Sequence, residues 1–323
     1  MPLENSNRRR SPELLIRCLI SCFTGTITQL ALIFVPHFFP LPSLLSQFII
    51  SASVFSITLG IFQYIRVLLK IRASAPAFVL FHIIFIWVVY LSVISQAVSL
   101  LLNILLNMEL AILLIGFLRI LTSDPGFVCQ DPASLMKASI SEDRQHLEDL
   151  SSKAEGISLE ISNEATSISS RRTRYCRSCK AYVMGFDHHC PGFGNCIGQK
   201  NYRLFLLLLA GFITAEASYA MLSYHWINKH LLLKQSSSKI RYNLVVSTMN
   251  FLMLQVLWQV VFFAWHVYCV CFNIRTEEWI NWRRYPEFHV IIHPSLDQSF
   301  SDIRFRNPYS KGIFCNVKDF LLG

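Results

Sequence analysis

Charge is scarce in this chain of 323 residues: Asp, Glu, Lys and Arg together make up 15% of it, against about 25% in soluble domains. Hydrophobic residues reach 53%. They fall in blocks of about twenty or more rather than in the rhythm of an amphipathic helix or strand. This pattern excludes an ordinary soluble domain and indicates a membrane protein.

Three further absences narrow the range of membrane proteins to which this chain could belong. No clear small-residue cleavage site follows the first apolar block, which argues against a removable signal peptide. No nucleic-acid-binding motif accompanies the net charge of +9. We therefore attribute the charge to attraction towards anionic membrane leaflets and an anionic ligand, and expect no nucleic-acid partner. No internal repeat is visible in the sequence.

The apolar blocks predict six membrane spans, since a bilayer core takes about 20 helical residues. The third block would be about 70 Å long as a single helix. We expect it to fold back near Asn103 to Glu109, its most polar stretch. The sequence thus predicts an all-α polytopic membrane protein, with apolar blocks at residues 14–35, 48–69, 76–121, 204–226 and 244–272.

Lys and Arg near the span ends predict the orientation. Arg8, Arg9 and Arg10 precede span one and Arg119 closes span four, whereas the connection 37–46 carries no charge. We expect both termini and the segment between spans four and five to be cytosolic, in the ER, Golgi, vesicles or plasma membrane. The loop 227–243 is basic and disagrees with this orientation.

Composition divides the chain into five regions. A Ser/Glu-rich stretch without aromatics reads as a linker, and it separates the first four spans from a cysteine-rich segment. The regions are a four-span membrane region (1–121), a DPG motif and flexible linker (122–170), a cysteine-rich domain (171–203), a two-span membrane region (204–272) and a tail with RTEE and NPY motifs (273–323).

Four of the ten cysteines lie within residues 176–196. Cys176 and Cys179 have the spacing of a metal-binding pair, and tetrahedral zinc needs two further ligands, for which His189 and Cys196 are the candidates. In a reducing cytosol, clustered thiols serve metal binding or catalysis rather than disulfides. We predict one structural zinc ion.

Cys190 stays outside this ligand set. It follows Asp187 and His188, and a thiol, an imidazole and a carboxylate form the nucleophile, base and orienting group of covalent acyl transfer. A thiol with a pKa of about 8.5 is mostly protonated at neutral pH, so the base is needed. In the alternative interpretation, Cys190 and both histidines compete as ligands in a structural zinc knuckle without chemistry.

The stretch DHHCPGFGNCIGQKNYRLF resembles the DHHC family of protein S-acyltransferases, or palmitoyltransferases, which are integral membrane enzymes that attach fatty acyl chains to protein cysteines. The resemblance implies that Cys190 is the acylated nucleophile, His188 its base and Asp187 the orienting acid. It also implies that the four zinc candidates form the family's second zinc site. The family commonly has four spans, and a six-span variant with four before the catalytic loop is known.

Outlying motifs stand in the family's order from about residue 122 to the end. Asp124-Pro125-Gly126 follows span four, Arg275-Thr276-Glu277-Glu278 stands where the family has TTxE, and Asn307-Pro308-Tyr309, with Gly312 and Asn316, resembles an asparagine-centred C-terminal motif. The supporting residues expected from these motifs and from the catalytic stretch are Asp124, Pro125, Gly126, Asn201, Thr276, Glu278, Asn307 and Tyr309.

Several positions depart from the family pattern. Two ligand positions of the family's first zinc site are occupied by Tyr175 and Tyr182 here. Of the upstream cysteine pair of that site, only Cys129 is present. We therefore expect one zinc ion rather than two. Gly192 replaces the tryptophan after the DHHC proline, and Arg275 replaces the first TTxE threonine. A catalytically silent membrane adaptor is the alternative function.

The resemblance implies a long-chain acyl-CoA as co-substrate, cysteines of membrane-associated proteins as acceptors, and the lipid bilayer as a partner. The CoA phosphates require cations at the cytosolic side of the spans. The candidates for these cations are Lys200, Arg203, Arg275 and Arg283. Glu216 lies inside span five and would be costly facing lipid, so we expect it to face the bundle interior. A transporter would need polar residues at mid-membrane on several spans, which look few in the sequence.

Overall fold

The computed structural model describes residues 3–39, 43–128, 172–232, 239–292 and 302–322. The predicted Ser/Glu-rich linker and Cys129 lie outside the described residues. The chain forms two compact units. The first comprises Met1–Leu121, Pro191–Gly194 and Leu207–Phe263, and the second comprises Thr122–Cys190, Asn195–Leu206 and Ala264–Gly323.

Six helices of the described residues are long and apolar enough to cross a bilayer, as their sequence blocks predict. The prediction of an all-α protein with six spans, and with the cysteine-rich segment between spans four and five, is confirmed. The helices are α1 (Leu3–Phe38), α2 (Leu44–Leu68), α3 (Ala75–Val89), α4 (Leu100–Thr122), α5 (Tyr202–Leu232) and α6 (Lys239–Cys271).

The expected turning point of the third apolar block was wrong. Helix α3 continues into a π-helical turn, Tyr90–Ile94, and a 3₁₀ turn, Ser95–Ala97, and the chain is extended at Val98 before α4 begins. Asn103 and Asn107 instead lie inside α4. Asn103 Oδ1 accepts a hydrogen bond from the Tyr90 hydroxyl at 3.0 Å, and Asn107 Oδ1 accepts one from Trp87 Nε1 at 2.8 Å. Because these bonds satisfy the amide oxygens inside the bundle, no loop is needed there.

The first unit buries polar side chains on several of its helices. Asn250 Nδ2 donates to Ser51 Oγ at 3.3 Å, and Gln259 Nε2 donates to the Glu216 carboxylate at 3.0 Å. Gln29 is buried as well. Buried polar side chains are thus more frequent among the spans than we expected from the sequence. Glu216 faces a neighbouring helix rather than lipid, as expected.

Among its described residues, the second unit contains three small antiparallel sheets. The first has the strand order β1-β3-β2, with β1 at Phe127–Val128, β2 at Arg174–Cys176 and β3 at Ala181–Val183. The second is a hairpin of β4 (His188–Cys190) and β5 (Asn195–Ile197), and the third pairs β6 (His289–Ile292) with β7 (Asp302–Phe305). The described residues of this unit also form two short α-helices, α7 (Thr276–Asn281) and α8 (Ile313–Leu322).

The DPG motif forms the turn that leads from α4 into β1. Asp124 Oδ1 accepts hydrogen bonds from the backbone N–H groups of Gly126, at 2.8 Å, and Phe127, at 2.9 Å. Gly126 has a φ of 103°, in the region that a residue without Cβ adopts at little cost. The turn places Phe127 opposite Val183 of β3.

Candidate active site and metal centre

Strand alternation in β4 separates the two histidines. Successive side chains of a strand point to opposite faces, so His188 and Cys190 share one face of β4 and His189 lies on the other. The register pairs His189 with Cys196 of β5 and Cys190 with Asn195. The sequence His-His-Cys on a short strand therefore supplies a metal ligand on one face and a base with its thiol on the other.

The three proposed catalytic residues interact with one another. His188 Nδ1 lies 2.7 Å from Asp187 Oδ2, and a hydrogen-bonding interaction links the ring to Cys190. Asp187 is fully buried, whereas Cys190 is partly exposed. The other carboxylate oxygen, Asp187 Oδ1, accepts a hydrogen bond from the backbone N–H of Thr276 at 2.9 Å. This carboxylate is therefore held at both oxygens.

Electrostatics favour a carboxylate at Asp187 and a basic imidazole at His188. Burial acts to raise the pKa of the Asp187 carboxyl, but the hydrogen bond and the charge of His188 lower it overall. Burial acts to lower the pKa of His188, but its interactions with Asp187 and Cys190 raise it to about 9. An imidazole with this pKa readily takes a proton from a neighbouring thiol.

His266 is a neighbour of this site that the sequence analysis missed. Its Nδ1 lies 3.9 Å from Asp187 Oδ2 and 3.0 Å from the Tyr202 hydroxyl. The His266 ring also packs edge-on against Phe205, with 4.8 Å between the ring centroids. A histidine inside an apolar span is costly unless it has a role, and that signal was present in the sequence of span six.

Cys176, Cys179, His189 and Cys196 converge on one point. His189 Nδ1 lies 3.8, 3.4 and 3.7 Å from the sulfurs of Cys176, Cys179 and Cys196, and the sulfurs of Cys179 and Cys196 are 3.3 Å apart. Zinc bonds of about 2.3 Å to sulfur and 2.0 Å to nitrogen give tetrahedron edges of roughly 3.5 to 3.8 Å. The Cys₃His set thus fits a tetrahedral metal ion. It is the one such four-residue group found among the described residues.

Asn201 links this ligand set to Ser123, the residue that follows Thr122. Its side-chain N–H groups donate to the backbone oxygen of Cys196 at 2.9 Å and to Ser123 Oγ at 3.1 Å, while its Oδ1 accepts from the Gly198 N–H at 2.9 Å. Gly198 is tightly packed, because an added Cβ would lie 2.4 Å from the Pro125 oxygen. Asn201 and Pro125 therefore position the strand that carries Cys196.

Arg172 and Glu278 form a second support that the sequence analysis recognised only in part. Arg172 Nε and its terminal nitrogen contact the two oxygens of Glu278 at 2.7 and 2.6 Å, and both side chains are buried. Glu278 Oε2 also accepts from the backbone N–H of Arg275, at 2.8 Å. This arrangement holds the start of α7, whose Thr276 N–H contacts Asp187. Arg172 was missed because a lone arginine beside a cysteine pair has no distinctive spacing.

The C-terminal motif packs around the end of α6. Asn307 Nδ2 donates to the backbone oxygen of Phe272 at 2.6 Å, and Asn316 Nδ2 donates to that of Cys271 at 2.8 Å. The Tyr309 ring lies under the Arg172 guanidinium, 4.5 Å from its central carbon. These residues hold the chain beyond α6 and do not directly contact the proposed catalytic triad of Asp187, His188 and Cys190.

Tyr175 and Tyr182 occupy the positions where the family has ligands of its first zinc site. They face each other across β2 and β3, with 5.1 Å between ring centroids and 63° between the ring planes. Such an edge-to-face pair contributes about 0.5 to 1.5 kcal/mol beyond the buried area. An aromatic contact thus links the two strands where the resemblance implies a metal.

The four cations proposed for the CoA phosphates each have a partner within the protein. Lys200 pairs with Asp124 at 2.7 Å, and this hydrogen bond lowers the pKa of the Asp124 carboxyl to about 2. Arg203 donates to the Leu321 backbone oxygen at 3.4 Å. Arg275 lies over the Tyr202 ring at 4.5 Å and Arg283 over Trp282 at 5.5 Å. Their role towards CoA stays a prediction.

Known proteins resemble this chain around the site. Residues 158–283 match the family model of the DHHC palmitoyltransferases. The chain is 46% identical over 57 residues to palmitoyltransferase AKR1 of Mortierella alpina, covering 18% of this chain and 10% of that protein. It is 32% identical over 114 residues to human palmitoyltransferase ZDHHC18, covering 33% and 28%, and 26% identical over 159 residues to human palmitoyltransferase ZDHHC17, covering 46% and 24%.

The chain spans less than a third of the length of each of these three relatives. The matched family segment contains the triad, the four metal-binding candidates and the helix that caps Asp187. The resemblance stated from the DHHC stretch is confirmed by this match. Residues 158–283 are therefore similar to the domain of the DHHC palmitoyltransferases.

Proposed function

We propose that the protein is a protein S-acyltransferase that moves a long-chain fatty acyl group, such as palmitoyl, from acyl-CoA to cysteines of membrane-associated proteins. The observation that carries the proposal is the position of His188 between the buried Asp187 carboxylate and the accessible Cys190. A structural metal site has no need of this arrangement, because the cluster on the other face of β4 has four ligands without Cys190.

The reaction has two balanced steps. In the first, His188 takes the Cys190 proton, the sulfur attacks the thioester carbonyl of acyl-CoA, and the C–S bond to CoA breaks as the CoA sulfur leaves with the proton. In the second, His188 takes the proton of an acceptor cysteine, whose sulfur attacks the acyl-Cys190 thioester and releases the Cys190 thiol. One thioester replaces another, so the task of the site is to position and deprotonate thiols.

Asp187 keeps the His188 ring in the tautomer that leaves Nε2 to act as the base, since its carboxylate oxygen accepts from the Nδ1 proton. The backbone N–H of Thr276 holds the second oxygen of Asp187. We propose that Cys176, Cys179, His189 and Cys196 hold one structural zinc ion, which supplies a cross-link between short strands when bound.

The bilayer would serve as both solvent and partner. Each CH₂ group of an acyl chain kept from water is worth about 0.8 kcal/mol, so spans that enclose the chain favour binding of the donor. We propose that the site and both termini face the cytosol, at an endomembrane or the plasma membrane, where anionic leaflets attract a basic protein. Lys200, Arg203, Arg275 and Arg283 are the proposed contacts of the CoA phosphates.

The proposal is tested by acyl-enzyme formation. Purified wild-type protein and Cys190→Ser are incubated with a labelled long-chain acyl-CoA, and Cys315→Ser, which removes an exposed cysteine of α8, is the matched control. We expect a hydroxylamine-labile label on the wild type and on Cys315→Ser, none on Cys190→Ser, and about one zinc ion per chain in all three. Folded, zinc-loaded wild-type protein without label would contradict the proposal and leave the silent adaptor.

A further inference from the structure

A cavity of about 310 Å³ lies among α1, α2 and α3, at the end where the chain passes from α2 to α3. It is outside the segment that matches the family model and belongs wholly to the first unit. Its walls are partly polar, with Thr24, Arg66 and Ser74, and partly apolar, with Leu59, Phe62 and Phe78.

Arg66 supplies a cation to this cavity without a balancing carboxylate. In the part of the chain that the structure describes, its guanidinium donates to Gln63 Oε1 and takes part in no ion pair. Its Nε is buried and has no hydrogen-bond acceptor. The Arg66 side chain is half-buried and its Nε–H has no acceptor, so a ligand that brings an anionic oxygen would be favoured here.

The first turn of α3 adds to the positive potential. Ser74 is the N-cap of α3, with its hydroxyl accepting from Ala77 N–H at 3.4 Å, and Ala75 also lines the cavity. Ser21 of α1 holds this turn in place, because its hydroxyl donates to the Ser74 oxygen at 2.7 Å and accepts from the Ser74 N–H at 2.8 Å. A helix N-terminus beside an arginine suits a phosphate group.

We propose that this cavity binds the phosphate headgroup of an anionic glycerophospholipid, with part of its acyl chain against Leu59, Phe62 and Phe78. Two further cations, Lys70 and Arg72, follow α2 and are exposed. Basic pockets between spans commonly take such headgroups. A free inorganic anion would gain nothing from the apolar wall, which is why a lipid is the preferred occupant. The proposal does not depend on acyl transfer.

The test measures lipid binding to the purified full chain in detergent by native mass spectrometry. Dioleoyl phosphatidic acid is the probe and dioleoyl phosphatidylcholine the uncharged comparison. Arg66→Gln removes the cation and Ala73→Phe fills the cavity, while Arg66→Lys keeps the charge. Arg119→Gln, at the exposed end of α4, is the matched control for loss of a span-end arginine. Thermal unfolding of each variant shows that it is folded.

We expect saturable binding of phosphatidic acid to the wild type. Binding should weaken about fivefold or more in Arg66→Gln, since one basic residue near a membrane surface contributes about 1 kcal/mol, and should also weaken in Ala73→Phe, because the added ring fills the cavity. It should change little in Arg66→Lys and Arg119→Gln. Equal affinity of the wild type and folded Arg66→Gln would overturn the proposal. So would displacement of the lipid by inorganic phosphate at equal concentration, or by oleoyl-CoA at a lower one.

Discussion

The β1-β3-β2 sheet and the β4–β5 hairpin are both built from strands of two or three residues, but they are held together differently. In the hairpin, His189 and Cys196 lie opposite each other and share the four-ligand cluster with Cys176 and Cys179. In the sheet, Tyr175 and Tyr182 lie opposite each other and form an aromatic pair. Strands this short are marginal without such support.

The difference indicates which region needs the greater rigidity. The hairpin carries His188 and Cys190, whose separation determines whether a proton can pass between them, and a metal cross-link restrains such a region more than ring packing does. The sheet contributes Cys176, at the end of β2, and Cys179, in the turn between β2 and β3, but neither of the proposed catalytic residues His188 and Cys190. Away from that turn, at Tyr175 and Tyr182, an aromatic pair joins the two strands. Four substitutions test this comparison, from the largest expected effect to the smallest.

Cys196→Ser removes a fully buried thiol from the cluster. Because metal binding in such sites contributes about 10 kcal/mol or more of folding energy, we expect loss of the zinc ion and at least a hundredfold loss of acyl labelling. Zinc content and labelling are measured on the same preparation. Cys315→Ser is the control, and full zinc occupancy in Cys196→Ser would show that the cluster is not the metal site.

Glu278→Gln leaves Arg172 buried without a counter-charge. Breaking a buried pair in this way costs about 3 to 5 kcal/mol, and we expect a marked fall in the thermal unfolding temperature. Glu287→Gln is the matched variant, because Arg174 and Glu287 form the same type of pair at 2.8 Å but remain more exposed. Its cost should be about 1 kcal/mol or less. Equal losses in the two variants would contradict the importance assigned to Arg172.

Thr276→Pro deletes the backbone N–H that Asp187 accepts, and keeps the helix. Proline is tolerated at the first position of a helix, and the preceding residue, Arg275, has the extended backbone that a proline requires. A hydrogen bond to a charged group contributes about 1.5 to 3 kcal/mol, so we expect acyl labelling to slow roughly ten- to hundredfold. Zinc content should not change.

Thr276→Ala is the control for this substitution, since it keeps the backbone N–H and loses only side-chain atoms, the γ-methyl group and the hydroxyl that accepts from Trp265 Nε1 at 3.1 Å. A rate for Thr276→Pro equal to that of Thr276→Ala would mean that the backbone hydrogen bond has no part in positioning Asp187.

Tyr175→Ala removes the ring that faces Tyr182. We expect a loss of about 0.5 to 1.5 kcal/mol in stability, with zinc content and acyl labelling retained, and no effect of Tyr175→Phe because the ring remains. Thermal unfolding and the labelling assay together measure this. A loss of zinc in Tyr175→Ala would show that the sheet, too, is needed to assemble the cluster.

Much of the architecture could be predicted because it depends on local signals. The six spans follow from block length, and the four members of the cluster follow from cysteine and histidine spacing. The turn between spans three and four could not be located, since Asn103 and Asn107 looked like loop residues. Their hydrogen bonds to Tyr90 and Trp87 depend on tertiary contacts, which polarity alone does not reveal.

The supporting contacts of the site were harder to predict for the same reason. Arg172 and Glu278 are separated by 106 residues, and nothing local links them. His266 and Tyr202 lie at the ends of different spans, and their contact with each other and with the Asp187 region depends on how those ends pack. The cavity beside Arg66 could not be predicted either, because a basic residue at the end of a span ordinarily marks orientation and does not indicate a pocket.

The order of residues in β4 determines which of its side chains share a face of the strand. Because faces alternate along a strand, inserting one residue between His188 and His189 would put the proposed base and the proposed nucleophile on opposite faces. Such a change preserves every chemical group and still separates His188 from Cys190. The alternation of faces along a three-residue strand thus links the two proposed roles, metal binding by His189 and activation of Cys190 by His188, to a single register.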